Sequence, residues 1–213
     1  MLNSAMLSSF VGAVMILSLT PGPDMALLIS RGVGQGWKAA WCTAFGFTLA
    51  GFIQIPLLAL GIASLFQSSP LAFDVLRYLG AAYLMWRGIQ LIVKAVLPSQ
   101  FPGISSATTL TKAISDGVIA SLTNPKGLIF LLAFLPQFVD PSAGSVTIQL
   151  VLLGLLMKVV ALIIETAIAI GAGCLGQFMR RSPSFVMWQE RVTGALLIGL
   201  ALRLVTMNDR EHG

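Results

Sequence analysis

Leu17-Ser18-Leu19-Thr20-Pro21-Gly22-Pro23-Asp24-Met25-Ala26-Leu27-Leu28 is apolar on both flanks and interrupted at its centre by two prolines, a glycine and a carboxylate. Proline removes a backbone donor and its ring clashes with the preceding turn, so a helix has to open here. A second stretch, Ser121-Leu122-Thr123-Asn124-Pro125-Lys126-Gly127-Leu128, repeats the arrangement with a cation after its proline. Both lie inside apolar runs long enough to span a bilayer. Open backbone at membrane depth persists only where it is buried in protein or lines a cavity. Two such breaks, carrying opposite charges, point to a pathway for a small solute.

The composition supports this setting. Of 213 residues, 56% are hydrophobic and 10% charged, with a mean hydropathy of +0.90. A water-facing surface needs more polar cover than that, so the chain is an all-α polytopic membrane protein. The apolar runs are continuous where a transmembrane barrel would alternate. The formal charge of +5 is carried by residues scattered between apolar runs, without a basic tract or motif for nucleic acid. Cys42, Cys174 and His212 stand apart with no ligand spacing, and no metal or other cofactor is expected. The N-terminus lacks the basic region and small-residue cleavage site of a signal peptide and reads as a retained first helix.

Spans of about 20 residues are predicted at 5–31, 39–66, 71–97, 111–139, 145–175 and 186–207. Loops one, three and five are flanked by Arg31, Lys38, Lys94, Lys112, Arg180, Arg181 and Arg191, against Arg77, Arg203 and Arg210 on the other side. The excess of basic residues places the former in the cytoplasm and both termini in the periplasm. Six spans divide into half-repeats at about 1–97 and 111–207 joined by a linker at 98–110, one transporter domain in all. A three-span unit crosses an odd number of times, so its copy enters the membrane inverted. Pro23 and Pro125 are 102 positions apart, and broken helices at matching places of inverted repeats mark a transporter's binding site.

The candidate substrate site is Thr20, Pro21, Gly22, Pro23 and Asp24 with Thr123, Asn124, Pro125 and Lys126. An acid within a span is costly unless paired or hydrated, so Asp24 either binds a proton or a cationic group or merely caps the helical piece that follows it. Lys126 either holds a carboxylate, snorkels to the interface, or pairs statically with Asp24. Opened helix ends offer N–H groups to an anion and carbonyls to a cation, which suits an α-amino acid. Lys158 and Glu165, seven residues apart, share one helix face. They line a pathway or pair with Arg87 or each other. Gln54 is a further pathway candidate and, like Gln137, could be interhelical glue. Glycines 46, 51, 171, 173, 176, 194 and 199 are expected at close helix contacts.

Thr20-Pro21-Gly22-Pro23-Asp24, Gly80-Ala81-Ala82-Tyr83-Leu84, Leu122-Thr123-Asn124-Pro125-Lys126 with Phe130, Leu135-Pro136-Gln137-Phe138, and the closing Gly194, Gly199 and Arg203-Leu204 resemble the LysE/RhtB family of amino-acid exporters. The resemblance covers essentially the whole chain. It implies a bacterial inner-membrane efflux protein for amino acids or close derivatives, driven by the proton motive force; a homodimer is compatible with it. Arg87 and Glu165 depart from the family pattern. The rival readings are a thiol-redox carrier through Cys42 and Cys174, a membrane enzyme, and a non-transporting subunit. No P-loop supports ATP hydrolysis.

Overall fold

The computed structural model describes residues 4–19, 22–68, 70–93 and 109–206. Among them are eight α-helices and two short 3-10 turns, with no strand. The first predicted span is two helices, α1 (Ser4–Leu19) and α2 (Pro23–Gln35), whose axes differ by 58°. The fourth is α5 (Leu110–Thr123) and α6 (Pro125–Phe134), followed by a 3-10 turn at Leu135–Phe138. The other predicted spans are α3 (Trp37–Ser68), α4 (Pro70–Val93), α7 (Val146–Arg181) and α8 (Pro183–Thr206). The Ser-, Thr- and Pro-rich linker expected at 98–110 lies almost wholly outside the described residues.

Two described helices are long and apolar enough to cross a membrane, Trp37–Ser64 within α3 and Val146–Ala172 within α7. The bent α1–α2 pair makes a third if it counts as one broken span. The sequence predicts six. The difference has a physical basis: the break leaves α5 and α6 each shorter than a bilayer, and α4 and α8 carry ionisable residues such as Arg87, Glu190 and Arg191.

Proline explains how α2 and α6 begin. Pro23 and Pro125 each occupy the first helical position, where a missing N–H costs nothing. Gly22 and Asn124 precede them in extended backbone, and their carbonyls accept from Ala26 and Leu128. Between α2 and α3 the turn is a single residue, Gly36, whose φ of +87° favours glycine. At the fourth turn the Ser142 hydroxyl and N–H bind the Asp140 carboxylate and hold its pKa below the usual value.

α3 and α7 pack against each other, α5 lies along α3, α2 against α7, and α4 along α8. Small residues permit these approaches. A Cβ on Gly46 would collide with the Ile114 carbonyl of α5, and one on Gly117 with the Thr43 carbonyl of α3. On the α4–α8 seam, a Cβ on Gly88 would lie 2.7 Å from the Gly194 carbonyl oxygen, and the reciprocal distance is 2.6 Å. Gly171 and Gly199 instead face open space, so helix contact does not explain them. Gly46→Val is expected to lower unfolding stability in detergent by about 2 kcal/mol, because backbone rather than a movable side chain stands in the way. A Gly12→Val control, with nothing within 4 Å, should change it little.

Two apolar clusters occupy opposite ends of the interior. One joins Phe10 and Val14 of α1 to Ile62, Leu131, Phe134, Phe138 and Leu153. Its centre is an aromatic triad, with Phe10 5.6 Å from Phe134 and 5.1 Å from Phe138, ring centre to ring centre. The other joins Met25, Leu28 and Ile29 of α2 to Ala40, Ala44, Phe47 and Ile168. Phe10 of α1 thus meets α6, while Arg31 of α2 meets Asp116 of α5. The two broken spans therefore run in opposite directions past each other, with their breaks between the clusters.

Candidate functional site

Between those clusters lies a cavity of about 90 Å³. The breaks contribute Gly22, Asp24, Asn124 and Gly127; α3 contributes Phe47 and Gln54; α7 contributes Lys158 and Glu165. The two breaks touch: Asn124 Nδ2 donates to Asp24 Oδ2 at 2.6 Å. Asp24 is the second residue of α2, so its charge also faces a helix N-terminus and the N–H groups there.

Gln54 answers a need created by proline. In a continuous helix the Ser121 carbonyl would accept from residue 125, but Pro125 has no N–H. The Asn124 N–H reaches that oxygen only at 3.4 Å. Gln54 Nε2 donates to it at 2.9 Å from the neighbouring α3. The amide is both interhelical glue and cavity wall. Ser121 itself escaped the sequence reading, although counting four residues back from Pro125 would have found it.

Lys158 crosses from α7 to α3 and donates to the Phe47 carbonyl at 3.1 Å. Its stem passes over Gly51, where a Cβ would lie 2.6 Å from the lysine Cε. Among the described residues Glu165 forms no ion pair with Lys158 or Arg87; Arg87 instead donates to Gln90, one turn along its own helix. Of the alternatives left open for Lys158 and Glu165, the geometry gives the cavity wall.

The remaining candidates divide. Pro23 is solvent-exposed at the start of α2 and does not line the cavity. Thr123 is also exposed, and its hydroxyl turns back to the carbonyls of Ile119 at 2.8 Å and Ala120 at 3.3 Å, the usual back-bonding of a helical threonine. It does not reach the site. Thr20, Pro21 and the side chains of Pro125 and Lys126 lie outside the described residues. The cysteines are free, Cys42 buried and Cys174 exposed, and neither lines the cavity.

The walls between the polar groups are apolar and largely aliphatic or thioether: Leu17, Met25, Leu28, Leu131, Met157 and Ile168, with the Phe47 ring. The site therefore sets both signs of charge between apolar walls that belong to the two clusters. A small amphiphile with an α-amino acid head matches that arrangement.

Comparison with known proteins gives the same direction. The family model for LysE type translocators matches residues 15–208. A leucine efflux protein of Klebsiella pneumoniae is 27% identical over 203 residues, 95% of each chain. Leucine efflux proteins of an Enterobacter species and of Salmonella typhimurium are each 26% identical, over 93% of both chains. No solved structure matches the chain.

Proposed function

Because the chain belongs to the LysE type translocator family, we propose that it exports aliphatic amino acids across the bacterial inner membrane in exchange for protons. The observation that carries this reading is the contact of two broken helices inside one cavity lined by both signs of charge and by apolar side chains. The relatives named for leucine efflux support the choice of substrate class. In this reading both termini are periplasmic, as the distribution of basic residues predicts.

Gly22 and Asp24 with Asn124 form the solute site, Pro23 and Pro125 open the helices around it with Lys126 next in the chain, and Gln54, Lys158 and Glu165 are the wall of the pathway. Thr20 and Pro21 belong to the first break, and Thr123 shapes the second through its own helix. Asp24 takes the α-ammonium group or the proton that exchanges with it. Each apolar cluster closes one end of the cavity, so a solute leaves only when one of them parts. Alternating access follows if the two half-repeats rock against each other and open the clusters in turn. A thiol-redox carrier is not favoured, since neither cysteine faces the cavity.

Purified protein in vesicles, given an imposed proton gradient, should drive labelled leucine, isoleucine, valine or methionine across the membrane. Collapse of the gradient with an uncoupler should stop it. If none of the four moves above protein-free vesicles, the reading is wrong.

A further inference from the structure

We propose that Lys158 is the residue that selects for a carboxylate on the transported solute. The inference rests on the export reading above and assigns one end of the solute within that site.

The groove in α3 comes first. Gly51 leaves the surface of α3 flat, and the Lys158 stem lies in the space a side chain would take: a Cβ there would fall 2.6, 2.8 and 2.9 Å from its Cε, Cγ and Cδ. The ammonium is thereby held at the Phe47 carbonyl on the cavity wall. Among the described residues that carbonyl is its hydrogen-bond partner, one neutral acceptor for three N–H donors. No carboxylate of the described residues lies within ion-pair distance. Asp24 is engaged by Asn124, and Glu165 is two turns further along α7, about 10 Å along the axis.

Asp24 and Glu165 act on the ammonium only across the cavity, and a buried charge without a contacting partner is expensive. A ligand carboxylate supplies both the charge and the missing acceptors. The acids face the same cavity, Asp24 from α2 and Glu165 from α7, so the solute's ammonium lies toward them while its carboxylate lies at the α3–α7 seam. The aliphatic wall takes the side chain. Gly51 and Lys158 act together: the glycine sets where the cation stands.

The test is competition against labelled leucine in vesicles by leucinamide, which lacks the carboxylate, and by unlabelled leucine. In the wild type, leucine should compete about tenfold or more better than leucinamide, as a charge-assisted contact implies. Lys158→Met keeps the apolar stem and should bring the two within about threefold, whereas Lys158→Arg should retain the preference. Gly51→Ser leaves the lysine in place but closes its groove, and should also weaken leucine while sparing leucinamide. Equal competition by the two compounds in the wild type, or undiminished preference in either Lys158→Met or Gly51→Ser, overturns the assignment. Absence of any leucine movement in the wild type instead removes the export reading and this inference with it.

Discussion

Asp24→Asn is expected to abolish gradient-driven export, lowering the driven rate by about 100-fold, the scale of losing one partner of a desolvated charge contact. The fold should survive. The amide has the same shape, and its oxygen still accepts from Asn124 Nδ2, which now meets Asp24 Oδ2 at 2.6 Å. The bond lengthens as it loses charge assistance. Losing the acid from the first turn of α2 costs about 0.5 kcal/mol of helix-end stabilisation, too little to unfold the protein. Export driven by a proton gradient and exchange of solute for solute without one are the two measurements. If Asp24 carries only the proton, exchange persists and driven export disappears. If it binds the ammonium, both fall together. Driven export at the wild-type rate would take Asp24 out of the mechanism. Asn124→Leu leaves the charge in place and removes its donor, so its effect on driven export should be smaller.

Features governed by local chemistry were legible in the sequence. A proline acts on the residues beside it, so both breaks were visible, as was the start of α2 and α6 at Pro23 and Pro125. Intramembrane charge is rare enough that Asp24, Lys158 and Glu165 stood out without coordinates. Their partners did not, because a partner depends on which helices are neighbours. Nothing local tells that Lys158 reaches the Phe47 carbonyl across Gly51, or that Gln54 serves the Ser121 carbonyl. Thr123 shows the converse error: it sits beside the break in sequence, yet its hydroxyl is spent on its own helix. Arg31 is a third case. Its place at the end of a predicted span reads as a charge turned to water, whereas the structure buries it.

That burial sets the second large effect. Arg31 Nη2 donates to Asp116 Oδ2 at 2.8 Å, with the arginine side chain 4% exposed and the aspartate 29%. Arg31 Nε and Nη1 have no hydrogen-bond partner among the described residues, so Asp116 is the guanidinium's main compensation. Lys112 Nζ approaches the other carboxylate oxygen at 3.5 Å from an exposed position. Asp116→Leu should therefore destabilise the protein by about 3 kcal/mol, chiefly through the cation it strands. Lys112→Ala, one turn away on the same helix, should cost no more than about 0.5 kcal/mol. The discriminating variant removes both charges: Arg31→Met with Asp116→Leu should recover most of the loss, since apolar side chains of similar volume replace a buried pair at little cost. Thermal unfolding of the wild type, Arg31→Met, Asp116→Leu and the double variant in one detergent gives the coupling. The pair joins α2 to α5, one from each broken span, so a large coupling means that an ion pair helps to hold these two helices together. Should Asp116→Leu unfold like the wild type, Arg31 must have another route to solvent, and the pair does not hold the two spans together.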